Sequence, residues 1–205
     1  MRILVIKFGG TSVRYATTNI INIINDIRIQ WDKIVIVVSA LSQVTNMLLE
    51  TLNNALENKE YLHLVENIKK VHLDILTDKT SIDRVNNYLN TYQEICNAIS
   101  IIKEITPKTQ DRITSYGELM SMTTISNVLH NNNIPHKTIS SNEFLKTDNN
   151  YTNAIIDFNS TRKLVNSKLL PLIESNNIIL TTGFIGSNSK NDITTLGRGG
   201  SDYTA

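Results

Sequence analysis

Near its amino terminus the chain reads Ile3-Leu4-Val5-Ile6-Lys7-Phe8-Gly9-Gly10-Thr11-Ser12, an apolar run that ends in a lysine and a glycine pair. Four apolar residues followed by a glycine pair predict a short buried strand of the kind found in parallel sheets. Lys7 then stands at the carboxyl end of the strand, where open α/β sheets bind ligands. Gly9 and Gly10 let the backbone turn N–H groups toward an anion. Alone, the stretch fits a soluble turn as well as a phosphate site, and it is not a Walker P-loop.

Composition narrows the class of protein. With 205 residues, 19% charged residues and a net charge of +1, the chain is long enough for a real core and shows no basic excess that would favour nucleic acid. The single cysteine, Cys96, excludes an internal disulfide and lies on an apolar stripe, which predicts a buried structural thiol. No apolar run is long enough for a bilayer, and signal-peptide order is absent. We therefore expect a cytoplasmic protein without membrane partners.

A βαβ unit follows from the next segments. An amphipathic helix from Ile20 to Arg28 leads to the β-branched run Ile34–Val38, which predicts a second buried strand. That strand ends in Ser39-Ala40, so a hydroxyl reaches the same sheet edge as Lys7, and Thr45 stands at the start of the next helix. Two further strands are predicted, a weak one within 134–139 and a buried one at Ile178–Thr182. The fold class is therefore α/β.

The middle of the chain is predicted to be helical. Residues from about 60 to 105 have the periodicity of a helical hairpin joined near 78–81, interpreted as a packing surface. Ser115 and Glu118 have the spacing of a capping box that would open a helix ending near His130. Near the end, Ser201 is predicted to cap a helix starting at Asp202. The four histidines show no metal-ligand spacing, so no metal site is expected.

Four motifs together resemble those of the aspartate kinase family of the amino-acid-kinase superfamily. They are Lys7-Phe8-Gly9-Gly10-Thr11-Ser12, Val38-Ser39-Ala40 with Thr45-Asn46, Ser115-Tyr116-Gly117-Glu118, and Gly197-Arg198-Gly199-Gly200-Ser201-Asp202. The resemblance spans residues 1–205 and implies a three-layer sandwich with a mainly parallel central sheet and helices on both faces. It further implies an incomplete catalytic domain, truncated in its nucleotide-binding part and without regulatory domains. A parent with a homoserine dehydrogenase behind the kinase fits equally.

The activity implied by the resemblance is ATP-dependent phosphorylation of the β-carboxylate of L-aspartate, the first step toward lysine, threonine and methionine. On the phosphate side, Lys7 would neutralise the transferring oxygens, with Gly9, Gly10 and Ser39 around them. Asp202 would orient lysines of this site, although a first-turn acid favoured by the helix dipole is the alternative. Magnesium would arrive with ATP, since no carboxylate cage is seen in the sequence.

On the substrate side, the resemblance assigns a complementary set of groups. Arg198 would clamp the α-carboxylate and Glu118 would receive the α-ammonium. Thr45, Ser39 and Ser201 would supply neutral contacts. The full-length protein is expected to be a homo-oligomer.

Two other kinds of protein also fit parts of this sequence. Acetylglutamate or carbamate kinase would share the sheet and the Lys-x-Gly-Gly motif, but not Ser-Tyr-Gly-Glu or Gly-Arg-Gly-Gly-Ser-Asp. A non-catalytic remnant that binds or assembles through the helical hairpin is an alternative of a different class. Because relatives continue beyond the Ser-Asp-Tyr-Thr motif with further nucleotide-binding elements, we expect this chain alone to be inactive or nearly so.

Overall fold

The centre of the fold is a parallel sheet. The computed structural model describes residues 2–205, and within them four strands pair in the order β1-β2-β4-β3. These strands are β1 (Ile3–Phe8), β2 (Lys33–Val38), β3 (Lys137–Ile139) and β4 (Ile178–Thr182). Phe8 pairs with Val38, and Val38 pairs with Thr182, so three strands end at one level. The predicted parallel α/β sheet is confirmed, and Lys7 and Ser39 lie at the carboxyl ends of its strands.

Helices and a small hairpin complete the chain. The helices are α1 (Gly10–Tyr15), α2 (Thr17–Ile27), α3 (Val44–Leu56), α4 (Leu62–Leu73), α5 (Lys79–Ile102), α6 (Pro107–Asn131), α7 (Phe158–Leu164), α8 (Leu170–Ser175) and α9 (Gly200–Thr204). A 3-10 turn covers Ser141–Glu143, and a π-helical segment, Val165–Leu169, joins α7 to α8. The antiparallel hairpin of β5 (Ile185–Ser187) and β6 (Ile193–Thr195) precedes α9 and was not predicted.

The sheet is covered on both faces, as β2 shows. Its Ile34 and Ile36 belong to the larger hydrophobic core, to which α2, α3, α5 and α6 contribute. Val35, on the opposite face, packs in a smaller core with Leu169 and Ile173 from the helical segment α7–α8. Successive strand residues point to opposite faces. The continuous apolar run of β2 therefore reflects burial on both sides, as in a three-layer sandwich.

The predicted helical hairpin is present as α4 and α5. Asp78 caps α5 by accepting a hydrogen bond from the Ser81 N–H at 2.8 Å. Tyr92 is buried and donates from its hydroxyl to the Leu48 carbonyl oxygen at 3.2 Å, which ties α5 to α3. Cys96 is buried on the same helix, and burial raises the pKa of its thiol to about 11. The expectation of a structural thiol agrees with this environment.

The predicted capping box at Ser115 and Glu118 is wrong. Helix α6 begins at Pro107, and the Thr106 hydroxyl caps it by accepting from the Thr109 N–H at 3.1 Å. Ser115 lies in the helix interior and donates to the Arg112 carbonyl oxygen at 2.6 Å. The prediction used Pro107 only as the end of the preceding helix, whereas proline is also well tolerated in the first turn of a new one. Glu118 therefore does not cap α6, and its carboxyl can contribute to the site.

Across residues 2–205, every helix is too short or too polar to traverse a lipid bilayer.

Candidate active site

A cavity of about 350 Å³ lies at the carboxyl edge of the sheet. Every side chain predicted for the site lines it, together with Phe184, which lies between β4 and β5, and with glycines at the start of α9 and in the loop before it. The lining residues are Lys7, Ser39, Thr45, Glu118, Phe184, Gly197, Arg198, Gly199, Gly200, Ser201 and Asp202. Gly9 and Gly10 are not among the lining residues and lie just beyond Lys7 in sequence. The structure thus brings together five segments of the chain: Lys7, 39–45, Glu118, Phe184 and 197–202.

Two of the residues that line the cavity, Lys7 and Asp202, form an ion pair. Lys7 Nζ lies 2.9 Å from Asp202 Oδ1, which joins the end of β1 to the first turn of α9. Both side chains retain solvent access, so the pair contributes little to stability. Its effect is positional, because it holds the Lys7 ammonium over the cavity. The helix dipole also favours an acid in the first turn, but Asp202 additionally contacts Lys7 here.

Two serines form a second connection across the site. Ser39 Oγ donates to Ser201 Oγ at 2.9 Å, and the Ser39 carbonyl oxygen accepts from the Ser121 hydroxyl at 2.6 Å. A Cβ on Gly183 would lie 2.5 Å from Ser201 Oγ, so glycine is needed where β4 passes α9. The prediction that Ser201 caps α9 is wrong, because Gly199, with φ 73°, occupies the N-cap position. Ser201 instead directs its hydroxyl toward Ser39.

Glu118 is the buried acid of the site. Glu118 is only 3% exposed, and its Oε2 atom is buried without a hydrogen-bond partner among the described residues. Burial raises the pKa of the Glu118 carboxyl to about 8, while the Ala40 N–H that bonds to it and the charge of Lys7 act in the opposite direction. A buried carboxyl with an unsatisfied oxygen in a cavity favours a cationic or N–H-bearing ligand.

Arg198 is the exposed cation of the site. It lies in the loop between β6 and α9, flanked by Gly197 and Gly199, both with φ 73°. A positive φ is accessible to glycine without strain, so the pair allows a sharp turn around the arginine. Within residues 2–205, Arg198 forms no ion pair or side-chain hydrogen bond, which leaves its guanidinium free to bind a carboxylate in a bidentate manner.

Two residues near the site were missed by the sequence reasoning. Phe184 lines the cavity with φ 67°, and its N–H donates to Thr204 Oγ1 at 3.2 Å. Asp111 is fully buried in α6 and accepts from the Thr152 N–H at 2.9 Å and from both the N–H and the hydroxyl of Thr195 at 3.0 and 2.7 Å. Glycines on both sides of Phe184-Ile185 signalled a turn, whereas nothing local distinguished Asp111 from a surface acid.

A second cavity of about 370 Å³ lies at the opposite edge of the sheet. It is lined by residues from the amino ends of strands, including Trp31, Ile34, His136 and Ile178. Open parallel sheets bind their ligands outside the carboxyl ends of the strands. Because the carboxyl-edge cavity also contains Lys7, Arg198, Glu118 and Asp202, we treat that cavity as the candidate active site.

An open parallel sheet with lysine, arginine and a buried acid at its carboxyl edge defines an α/β protein suited to a small charged ligand. A family model described as "Amino acid kinase family" matches residues 2–205. The chain belongs to the amino acid kinase family.

Curated relatives carry more specific names. Lysine-sensitive aspartokinase 3 of Escherichia coli is 32% identical over 213 residues, which cover 99% of this chain and 45% of that protein. A bifunctional aspartokinase/homoserine dehydrogenase of Buchnera aphidicola is 26% identical and is covered to 26%, with 98% of this chain aligned. The chain thus spans less than half the length of these relatives.

Solved structures agree with the sequence comparison. Escherichia coli aspartokinase III in complex with aspartate and ADP superimposes with a TM-score of 0.87 at 27% identity, over 100% of this chain and 45% of that one. The same enzyme in complex with lysine and aspartate gives a TM-score of 0.86 at 28% identity, over 99% of this chain and 45% of that one.

Proposed function

We propose that the chain forms the aspartate-binding part of an aspartate kinase, which transfers a phosphoryl group from ATP to the β-carboxylate of L-aspartate. The product would be 4-phospho-L-aspartate, the first intermediate on the route to lysine, threonine and methionine. Support comes from the aspartokinase relatives and from the similar structure in complex with aspartate and ADP. The observation that carries the proposal is that one cavity contains a buried acid and an arginine, neither of which forms an ion pair within residues 2–205.

The two unpaired groups match the two charges of an α-amino acid. Arg198 would bind the α-carboxylate in a fork, and Glu118 would accept hydrogen bonds from the α-ammonium. Thr45, Ser39 and Ser201 would contact the remaining polar atoms as neutral donors. Acetylglutamate has an amide in place of the ammonium, so it would offer Glu118 a hydrogen-bond donor but no positive charge to stabilise the ionised carboxylate. The site therefore favours a free amino acid over its acetylated counterpart.

On the phosphate side, Lys7 would bind the transferring phosphoryl group. One β-carboxylate oxygen attacks the terminal phosphorus of ATP while the bond from that phosphorus to the ADP oxygen breaks. No general base is required, because a carboxylate is already deprotonated at neutral pH. The chain has to align the two reactants and offset negative charge, which Lys7, held by Asp202, and the hydroxyl of Ser39 are placed to do. Gly9 and Gly10 would lie beside the phosphates.

Magnesium would be carried by the nucleotide. Among residues 2–205, His, Cys, Asp and Glu side chains form no group of three or more that could hold a metal ion. The carboxylate nearest to Lys7, that of Asp202, is already paired. The ion would therefore be held mainly by the phosphates of ATP. A cytoplasmic location and a homo-oligomeric full-length protein stay predictions.

Calorimetric titration of the 205-residue chain with L-aspartate tests the proposal. We expect binding that Arg198→Ala weakens by at least about tenfold, the loss of a charge-assisted bidentate contact. Arg112→Ala, which removes an exposed arginine from α6, is the matched control and should bind normally.

Three outcomes would contradict the proposal. Tighter binding of N-acetyl-L-glutamate than of L-aspartate would favour another amino-acid kinase. Equal binding by Arg198→Ala and wild type would remove Arg198 from the site. Absence of aspartate binding by a folded dimer would favour the non-catalytic alternative.

A further inference from the structure

The loop between β2 and α3 contains a strained turn. The Val44 N–H donates to the Leu41 carbonyl oxygen at 2.9 Å, and Gln43, the third residue of this turn, has φ 74° and ψ −13°. These angles belong to the third position of a type II turn, for which about +80° and 0° are typical. Glycine is the usual residue there, because a side chain at positive φ is disfavoured. Something other than local preference must therefore hold Gln43 in this conformation.

Arg14 holds the peptide group that sets this conformation. Arg14 Nη1, from the last turn of α1, donates to the Ser42 carbonyl oxygen at 2.6 Å in a partly buried position. That oxygen belongs to the peptide bond between Ser42 and Gln43. Rotating this peptide group would convert the turn to type I, in which the third residue has a φ of about −90° that suits glutamine. The rotation would also turn the oxygen away from Arg14 and break a charge-assisted hydrogen bond.

The rest of the loop is attached by its backbone at other points. The Ser39 N–H donates to the Phe8 carbonyl oxygen at 3.2 Å, and the Ser42 N–H donates to the Gly10 carbonyl oxygen at 3.0 Å. Within residues 2–205, the hydrogen bond from Arg14 is the one that the Ser42 carbonyl oxygen accepts. The orientation of the Ser42–Gln43 peptide group consequently depends on Arg14.

The turn lies between residues of the candidate site. Ala40, before the turn, donates its N–H to Glu118, and Thr45, two residues after Gln43, lines the cavity. We propose that Arg14 is a positioning residue for the aspartate site: it holds the Ser42–Gln43 peptide group in the type II orientation and thereby sets the direction in which α3 presents Thr45. This inference rests on the proposed function for its ligand, whereas the turn itself can be tested without one.

The other contacts of Arg14 do not account for its position. Its guanidinium carbon lies 5.0 Å from the centroid of the neighbouring Tyr15 ring, a local cation–π contact on the same helix. Within residues 2–205, it forms no ion pair with a carboxylate. A cation held next to a carbonyl oxygen, without a carboxylate partner, is best explained by the hydrogen bond that it donates.

The test combines Arg14→Ala with Gln43→Gly, singly and together. Arg14→Ala should weaken L-aspartate binding about tenfold, the equivalent of roughly 1.4 kcal/mol. Adding Gln43→Gly should restore most of the affinity, because glycine adopts the type II turn without Arg14. Arg84→Ala removes an exposed arginine from α5 as the matched control and should bind like wild type. If Arg14 contributes only to packing, Gln43→Gly should not restore the aspartate affinity that Arg14→Ala loses.

Thermal unfolding without ligand separates this inference from the proposed function. Arg14→Ala should lower the melting temperature by roughly 2–4 °C, and Gln43→Gly should recover much of that loss in the double variant. If no variant binds aspartate but the melting temperatures show this coupling, the turn is as inferred and the proposed ligand is wrong. Additive melting shifts and no recovery of binding would overturn the role of Arg14. If Arg14→Ala does not fold, Arg14→Lys with and without Gln43→Gly replaces it, because lysine keeps the positive charge but lacks the planar guanidinium.

Discussion

At the scale of the residue, Glu118 shows how burial changes the protonation of an ordinary acid. Its carboxyl is enclosed at the edge of the sheet with Oε2 unsatisfied, and burial raises its pKa to about 8. At neutral pH the unliganded carboxyl is therefore largely protonated. An ammonium group next to it would favour the charged form and lower the pKa again. Binding of an amino acid should thus be linked to loss of a proton.

The proton linkage at Glu118 can be measured directly. At pH 7 we expect L-aspartate binding to release close to one proton per site, and affinity to rise with pH until about pH 8. Titration calorimetry in buffers of different ionisation enthalpy gives the number of protons. Glu118→Gln should bind more weakly and release no proton. Glu66→Gln, which changes an exposed acid of α4, should behave as wild type. Proton release that persists in Glu118→Gln would assign the titration to another group.

Individual site residues differed in how far the sequence could predict them. Lys7 was predictable as a cation at a strand end because it follows an apolar run, whereas Arg198 was assigned through the resemblance of the motif Gly197-Arg198-Gly199-Gly200-Ser201-Asp202. Asp111 was not, since its burial depends on Thr152 and Thr195, which lie 41 and 84 residues later. Partners at such distances are set by the whole fold and leave no local pattern.

At the scale of the element, α6 connects the core to the site. Asp111 in its first turns accepts hydrogen bonds from the loop at Thr152 and from Thr195 at the end of β6. Burial raises the pKa of Asp111, while the N–H of Thr152 and the donors of Thr195 lower it. Because β6 leads directly into the loop that carries Arg198, this acid anchors one side of the cavity.

Asp111→Asn should loosen that anchor. The amide has the size of the carboxylate, but its NH₂ group would face the hydrogen-bond donors of Thr152 and Thr195. We therefore expect a loss of about 2 kcal/mol in the free energy of unfolding. Aspartate affinity should fall as well, because Arg198 is no longer held in place. Urea denaturation and calorimetry measure the two effects. Asp83→Asn, an exposed acid on α5, is the control, and an Asp111→Asn protein that is as stable as wild type would contradict the anchoring role.

Element types followed from the sequence better than element boundaries did. Apolar runs such as Ile34–Val38 can be buried on both faces only as central strands, so β2 and β4 were predictable. The start of α6 was not predictable, because a proline can either end a helix or stand in the first turn of the next one. The hairpin of β5 and β6 was missed since its strands are only three residues long and carry little periodicity.

At the scale of the whole molecule, two buried groups give stability opposite dependences on pH. His72 is fully buried, and burial lowers the pKa of its ring from 6.5 to about 4. The unfolded chain therefore binds more protons between pH 4 and 6.5, so this group makes stability rise with pH in that window. For Glu118 the folded state binds more protons between pH 4.5 and 8, so this group makes stability fall as pH rises.

The two windows predict a separable pH profile. Replacing His72 by leucine should remove a loss of stability that sets in below pH 6.5, at up to roughly 1.4 kcal/mol per pH unit. Glu118→Gln should remove the decline between pH 6.5 and 8. Denaturant unfolding at a series of pH values gives both slopes, with His130→Leu as an exposed histidine control. A wild-type acid slope in His72→Leu would show that other groups govern acid unfolding.

The order of the strands in the sheet has a consequence for synthesis. Lys33 at the start of β2 is hydrogen-bonded to Asn177 just before β4, and the two are 144 residues apart. At a synthesis rate of roughly 5–20 residues per second, β2 emerges about 7–30 s before the neighbour that will cover its second edge. During that interval an apolar strand with an open edge is exposed to other chains. The growing polypeptide is therefore a natural client for chaperones that shield β2 until translation reaches β4.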